Sequence, residues 1–257
     1  MDEEYVKTVT HKGITTIEFF HPKGNSLPGK ILADLTKKFQ QAGIHEETKV
    51  IILRSAGDKS FCGGASFDEL LAIKTEADGL QFFSGFSNLI NAMRKCPKLI
   101  IARIQGKCVG GGVGLAAAAD YCIALNTVEI KLSELALGIG PLVIAPAVER
   151  KIGLGAFSAL AIDATVWRNS DWAKKKGMFA EVHENIENME EAIYRLSNHL
   201  ASSNPEAMAA IKKALWHGTD HWDELLNQRA AMSGRLAMGE YAKKAVERLK
   251  ENIIREQ

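Results

Sequence analysis

Two glycine-rich turns in the sequence are suited to holding a negative charge. They are residues 60–66 (SFCGGAS) and residues 105–115 (QGKCVGGGVGL), and each follows a predicted buried strand and precedes a predicted helix. The first N–H groups of a helix have no partner within the helix and lie at the positive end of its dipole. Glycine also removes the side-chain bulk that would keep a ligand away from the backbone. Both turns are therefore candidate sites for stabilising a developing anion.

A third segment, residues 128–141 (VEIKLSELALGIGP), supplies a carboxylate, Glu134. It stands between Ser133 and the apolar residues 135–137, which leaves two interpretations. The glutamate either lies in the first turn of a helix, where the helix dipole favours a negative charge, or faces an apolar pocket. In the second case burial raises the pKa of the carboxyl group, which suits a general base near neutral pH.

The sequence lacks the motifs of several other chemistries. The phosphate-binding pattern G-x-x-x-x-G-K-[ST] fails at Gly106 because Cys108 follows the lysine, and no G-x-G-x-x-G opens the first strand–helix unit. The nucleophile motif G-x-S-x-G does not occur. His217 and His221 are four residues apart, but there is no H-E-x-x-H pattern, so we predict no metal site. These absences disfavour a nucleotidase, a Rossmann dehydrogenase and a serine hydrolase.

The elements that must position these segments alternate between strand and helix. The patterns predict a β-hairpin at residues 5–10 and 14–20, helices at 31–42, 67–73, 80–93 and 110–119, and buried strands at 50–53, 99–104 and 121–125. Such alternation favours an α/β fold with crossover connections. Beyond about Gly153 the patterns are helical, and Asn204 before Pro205 is a good helix start. We expect an α/β core over residues 1–200 and a helical subdomain over residues 201–257.

Composition excludes further classes of protein. The 257 residues include 32 Lys+Arg against 31 Asp+Glu and four cysteines without C-x-x-C spacing, so neither a nucleic-acid-binding patch nor a disulfide-rich module is indicated. No apolar stretch approaches the ~20 residues that cross a bilayer. The acidic start, residues 1–4 (MDEE), is unlike a signal peptide. We therefore expect a cytoplasmic protein with reduced, buried thiols and no membrane partner.

Taken together and in this order, the segments resemble the crotonase (enoyl-CoA hydratase/isomerase) superfamily. The resemblance is carried by residues 22–27 (PKGNSL), 61–65 (FCGGA), 97–120 and 133–138 (SELALG), and it covers most of the first 160 or so residues. It implies a core of stacked ββα turns and a helical C-terminal region that forms homotrimers, which pair into homohexamers in many members. It also implies an acyl-CoA thioester substrate and no separate cofactor, because coenzyme A is part of the substrate.

The resemblance also assigns roles to individual residues. The thioester oxygen would lie between the N–H groups of Ala65 and Gly111, which form an oxyanion hole, and Glu134 would move the proton. Coenzyme A and the acyl chain would be bound by a set of residues along three segments: Lys23, Gly24, Leu27, Phe61, Gly63, Gly64, Gly110, Pro141 and Leu142.

One departure from the family pattern bears on the reaction. Hydratases of the family carry two glutamates, and Glu134 matches the second of them. The first lies two residues after the G-G-G turn, where this chain has Gly114. Two carboxylates hold and activate a water, whereas one carboxylate can shuttle a proton between two carbons. This favours a one-glutamate Δ3-Δ2 enoyl-CoA isomerase. An enoyl-CoA hydratase that works with Glu134 alone stays open, as does a non-catalytic acyl-CoA-binding protein, although retention of Glu134 argues against the latter.

Three other charged residues invite an explanation. Arg103 lies inside an apolar strand, where a buried guanidinium needs a partner carboxylate that the sequence does not identify. Asp120 is expected to cap or anchor the strand that follows it. Glu129 could in principle replace the missing glutamate, but its alternation with Val128 and Ile130 indicates an exposed strand position.

Overall fold

The computed structural model describes residues 3–255, with side chains through residue 248. In chain order the elements of this part are β1 (Tyr5–His11), β2 (Ile14–Phe20), α1 (Gly29–Ile44), β3 (Val50–Ser55), β4 (Ser60–Cys62), α2 (Phe67–Ala72), α3 (Glu76–Lys95), β5 (Leu99–Ile104), β6 (Lys107–Val109), α4 (Gly111–Ala118), β7 (Tyr121–Leu125), β8 (Glu129–Lys131), α5 (Ala145–Ile152), α6 (Leu154–Ile162), β9 (Arg168–Asn169), α7 (Ser170–Lys175), β10 (Glu181–His183), α8 (Ile186–Ala201), α9 (Pro205–Leu215), α10 (Trp222–Ala237) and α11 (Glu240–Arg255).

The strands form two sheets, and consecutive strands along the chain pass from one sheet to the other. The larger sheet has the order β1-β2-β3-β5-β7-β10 and the smaller one the order β4-β6-β8-β9. Each of the pairs β3/β4, β5/β6 and β7/β8 gives one strand to each sheet before the chain enters helices. All six residues of β5 are buried, as expected for a central parallel strand covered on both faces. The predicted α/β class and its strand–strand–helix turns are confirmed.

Three short strands of the smaller sheet are not predicted by the sequence patterns. The strands β4, β6 and β8 have three residues each, too few to show the alternation by which a strand is recognised. The prediction that the region beyond Gly153 is purely helical is wrong at β9 and β10, which each add to the edge of a sheet. The helix start at Asn204 is confirmed, because its Oδ1 accepts from the N–H groups of Glu206 and Ala207. The division at residue 200 stays a prediction.

A buried ion pair attaches α9 to the core. Asp120, between α4 and β7, accepts from Lys212 Nζ at 2.9 and 2.7 Å and from Trp216 Nε1 at 2.8 Å. Its Oδ2 also accepts from the N–H of Ile100, so Asp120 anchors a strand as expected, although that strand is β5 rather than the one that follows. The side chains of Lys212 and Asp120 are only 3% and 5% exposed. Burial lowers the pKa of Lys212, and the Asp120 carboxylate opposes this shift.

The structure also supplies the partner of Arg103. Its Nε lies 2.5 Å from Oε1 of Glu190, on α8, so a buried guanidinium joins the central sheet to a second C-terminal helix. All four cysteines are buried and unpaired, as predicted. Within the described residues, no helix is both long enough and apolar enough to span a bilayer.

We expect Lys212→Met to lower the free energy of unfolding by about 3–5 kcal/mol, because it leaves the Asp120 carboxylate buried without its cation. Chemical denaturation measures the change. The exposed neighbour in the same helix provides the control, Lys213→Met, which is expected to stay within about 0.5 kcal/mol of the unmodified protein. Equal losses in the two variants would contradict this account of how α9 is attached.

Candidate active site

The two glycine turns meet at the carboxyl edge of the small sheet. β4 and β6 are parallel neighbours, so the turns that follow them leave the sheet at the same edge. A Cβ atom built on Gly64 would lie 2.9 Å from the carbonyl oxygen of Val109 and 3.8 Å from the nitrogen of Gly111. Only a residue without a side chain permits this approach, and Gly64 has a φ of +89°. The turn that contains Ala65 therefore lies beside the start of α4.

The N–H groups of Ala65 and Gly111 are candidate donors to an anion. Gly111 is the first residue of α4, where an N–H has no acceptor within the helix. Among the turn and loop hydrogen bonds of the described residues, neither N–H group donates to a backbone oxygen. A side chain at Gly111 would collide with the ring of Phe86. The arrangement fits the predicted oxyanion hole, which stays a prediction.

Glu134 reaches the same place from the third strand. β8 pairs in parallel with β6, so the segment after Lys131 also emerges at this edge. A Cβ atom on Gly110 would lie 2.6 Å from Oε1 of Glu134, so the carboxylate rests against the backbone of the glycine turn. Residues 134–138 form turns rather than a helix. Of the two interpretations of Glu134, the helix-start one is wrong, because the residue lies against a pocket.

Desolvation sets the protonation of Glu134. The residue as a whole is half-buried, but its Oε2 is shielded from solvent and has no hydrogen-bond partner among the described residues. Burial raises the pKa of the carboxyl group to about 7, and a hydrogen bond from its own backbone N–H opposes the shift. A carboxylate with this pKa can accept and return a proton near neutral pH.

Glu134, Ala65 and Gly111 line one cavity of about 580 Å³, counting the part that opens to solvent. Of the other residues assigned by resemblance, Gly63, Gly64, Gly110, Pro141 and Leu142 line the cavity too. The rest of the wall is mainly apolar: Phe67, Leu70, Phe83, Phe86, Val109, Leu137, Ile139, Val143 and Ile144.

Four residues assigned to binding lie elsewhere or only adjoin the cavity. The side chain of Phe61 is fully buried in the core, edge-on to Phe19, and is not on the cavity wall. Leu27 is also fully buried, and its N–H donates to the carbonyl of Gly64. Gly24 accepts from the N–H of Gly63, and the exposed Lys23 pairs with Asp68. The segment 23–27 therefore supports the first glycine turn from outside.

The space beside Gly114 is already filled. A Cβ atom on Gly114 would lie 2.5 Å from Cγ2 and 2.8 Å from Cβ of Ile144, which lines the cavity. The sequence shows that the family's glutamate is absent at position 114. It does not show that Ile144, thirty positions away, fills the space. Glu129 does not compensate, because its carboxylate pairs with Lys107 at 3.3 Å and does not line the cavity.

Sequence reasoning missed one polar residue of the wall, Ser233 on α10. No motif surrounds it, and a serine on a long helix carries no signal of its own. α10 reaches the cavity by packing on α3, where a Cβ atom on Gly79 would lie 2.6 Å from Cα of Gly234. Within the described part of the chain, no group of three or more His, Cys, Asp or Glu residues is arranged to hold a metal ion.

Comparison with known proteins identifies relatives of this chain. The profile of the family "Enoyl-CoA hydratase/isomerase" matches residues 9–252. The chain is 27% identical to a (7aS)-7a-methyl-1,5-dioxo-2,3,5,6,7,7a-hexahydro-1H-indene-carboxyl-CoA hydrolase of Mycobacterium tuberculosis, over 81% of this chain and 82% of that one. It is 30% identical to the enoyl-CoA hydratase ACTT6 of Alternaria alternata, over 80% and 68%.

Two further matches extend this comparison. The mitochondrial Delta(3,5)-Delta(2,4)-dienoyl-CoA isomerase of Mus musculus is 26% identical over 87% of this chain and 72% of that one. Among solved structures, the enoyl-CoA hydratase from Bacillus halodurans superposes with a TM-score of 0.87 over 95% of this chain and 99% of that one, at 22% identity. This likeness confirms the crotonase fold. The relatives' names cover a hydrolase, a hydratase and an isomerase, so similarity alone does not select a reaction.

We expect Glu134→Gln to stabilise the protein increasingly as pH rises. The folded pKa of about 7 exceeds the ordinary 4.5, so the folded state holds its proton more tightly than the unfolded state. Burying the ionised carboxylate thus costs nothing well below pH 4.5 and its full amount above pH 7. The stability difference between variant and unmodified protein should grow by about 1–3 kcal/mol from pH 5 to pH 8. Denaturation at several pH values, with Glu129→Gln as control, measures it; a constant difference would refute the burial.

We expect Gly114→Ala to destabilise the protein by about 1–3 kcal/mol, because its methyl group overlaps Ile144. Ile144→Ala in the same chain removes Cγ2, so the double variant should lose less than the sum of the two single losses. A double-mutant cycle by chemical denaturation measures this coupling. Additive losses would show that the two residues are not in contact.

Proposed function

The chain belongs to the enoyl-CoA hydratase/isomerase family, and from this premise we propose that it is a Δ3-Δ2 enoyl-CoA isomerase with Glu134 as its one base. The observation that carries the proposal is the number of carboxylates. Of the described residues that line the cavity, only Glu134 has an ionisable side chain, and Ile144 leaves no room for another at position 114.

The geometry supports a proton shuttle. Glu134 removes a proton from C2 of a 3-enoyl thioester, and the electrons move onto the thioester oxygen as a dienolate. The N–H groups of Ala65 and Gly111 stabilise that oxygen, each donor being worth about 2.7–4 kcal/mol in the transition state. Glu134 then returns the same proton to C4, and the double bond ends between C2 and C3. No water is consumed, and the base leaves the reaction as it entered.

The environment of Glu134 favours this reaction over hydration. A base with a pKa of about 7 is partly ionised at neutral pH and still holds the proton it has taken. The apolar side chains of Leu142, Val143 and Ile144 keep water away from the dienolate. Hydration is the second candidate, and it is favoured by the unpartnered Oε2 of Glu134, which can accept from a water.

Binding of coenzyme A and self-association complete the proposal. The exposed ammonium of Lys23 would contact the phosphates of coenzyme A, and the backbone near Gly24 and Leu27 the adenine; no other cofactor is required. Leu154 and Ile162 of α6 are 64% and 73% exposed, and such exposed apolar side chains support a homotrimer or a homohexamer. The location that we propose is the cytoplasm, as expected from the sequence. Sedimentation at three or six times the 28.1 kDa chain mass would agree with this, and a monomer would contradict it.

The test offers the protein a 3-enoyl-CoA and a 2-enoyl-CoA separately and resolves the products by chromatography. We expect conversion of the 3-enoyl to the 2-enoyl thioester without 3-hydroxyacyl-CoA. Glu134→Gln should lower kcat about 10²–10⁴-fold, while Glu129→Gln keeps it. For the unmodified enzyme kcat/KM should rise with pH and level off above about pH 7, because the ionised carboxylate is the base.

The alternatives give different results in the same experiment. Appearance of 3-hydroxyacyl-CoA from the 2-enoyl substrate would identify a hydratase. Tight binding of both thioesters with no product would identify a non-catalytic acyl-CoA-binding protein.

A further inference from the structure

Ser233 brings an unpartnered hydroxyl to a cavity whose walls are otherwise mostly apolar. It is 1% exposed, it lines the cavity together with Glu134, and its Oγ has no hydrogen-bond partner in the described part of the protein. Ala65 and Gly111 would hold the thioester oxygen, and Glu134 the migrating proton. None of these groups uses the hydroxyl of Ser233.

Two other buried serines in helices donate hydrogen bonds to backbone carbonyls of their own helix. Ser197 on α8 donates to the carbonyl of Tyr194 at 3.2 Å, and Ser87 on α3 donates to that of Ser84 at 3.0 Å. Such a bond to the preceding turn is the usual solution for a serine inside a helix. Ser233 does not make one, although a buried unpaired hydroxyl lowers stability. Its partner is therefore to be sought in the cavity.

The packing of α10 determines where this hydroxyl lies. Gly234 touches the backbone of Gly79 on α3, so the preceding residue, Ser233, lies on a helix that cannot come closer to α3. The cavity wall is mainly apolar and suits a hydrocarbon chain, although Ser133 and Glu134 also line it. Ser233 adds a buried hydroxyl to this wall, which suits a chain that carries a polar atom of its own.

We propose that Ser233 recognises an oxygen substituent, a hydroxyl or a carbonyl group, on the acyl chain of the substrate. The proposal rests on the proposed function, because it takes an acyl-CoA as the occupant of the cavity. A serine hydroxyl can donate to a carbonyl and either donate to or accept from a hydroxyl. A site that hydrogen-bonds a substrate oxygen disfavours the analogue without it, because the buried hydroxyl is then left unpaired.

The experiment measures binding rather than turnover, so it does not depend on the reaction. Dissociation constants are determined by calorimetry for saturated hexanoyl-CoA and octanoyl-CoA, and for analogues with an oxo or hydroxy group at C4, C5 or C6. Three proteins are compared: unmodified, Ser233→Ala and Ser197→Ala. The last is the matched control, a buried serine on another C-terminal helix that lies outside the cavity.

We expect at least one oxygenated acyl-CoA to bind the unmodified protein about tenfold more tightly than its plain counterpart, which is one hydrogen bond's worth of discrimination. Ser233→Ala should abolish that preference and leave the affinity for the plain chain unchanged or improved, while Ser197→Ala keeps the preference. The proposal is overturned if the plain chains bind as tightly as every oxygenated one, or if Ser233→Ala weakens both equally. Failure of all acyl-CoAs to bind would overturn the proposed function as well, so the two failures are distinguishable.

Discussion

The parallel pairing of β4, β6 and β8 is the constraint on which the site depends. Cys62 faces Cys108 in one pairing, and Cys108 faces Ile130 in the next, so the three strands end at nearly the same level. Parallel strands direct their carboxyl ends to the same edge, and the loops that follow must meet there. Two glycine turns and the segment of Glu134 come together for this reason alone. A shift in either register would separate Glu134 from the predicted oxyanion hole.

Close packing of the backbone determines the shape of the site. Gly64 and Gly110 bring one turn onto the other and onto the carboxylate of Glu134, and a Cβ atom at either position would collide. At position 114 the lack of a side chain leaves room for Ile144. The result is a carboxylate surrounded by backbone and hydrocarbon, whose pKa is raised by desolvation. Burying this carboxylate lowers the stability of the folded protein wherever the group is ionised.

The C-terminal helices pack against the core, and one of the described ones, α10, lines the cavity. α8 is attached to the central sheet by the pair of Arg103 with Glu190, and α9 by the pair of Asp120 with Lys212. α10 contributes a wall residue to the cavity. α11 lies over the turn that follows Glu134, where its Tyr241 would collide with a side chain at Gly138. Arg103, Lys212 and Asp120 are buried, whereas the side chain of Glu190 is 41% exposed. Such pairs add little net stability, but they hold these helices in one position, because a displaced helix would leave a buried charge unpaired.

The sequence by itself determined the local features: the alternation of strands and helices, the glycine turns, Glu134 and the missing carboxylate at Gly114. The alternation and the glycine turns follow from the conformations and periodicities of neighbouring residues, whereas the missing carboxylate is implied by the resemblance to the crotonase superfamily. Only the tertiary structure decided that Glu134 lies in a turn, that Glu190 is the partner of Arg103, and that Ile144 and Ser233 share the cavity, because these contacts join residues far apart in the chain. Two- and three-residue strands also escaped prediction. Their conformation is fixed by hydrogen bonds to distant strands, and such pairing leaves no periodic pattern in a segment that short.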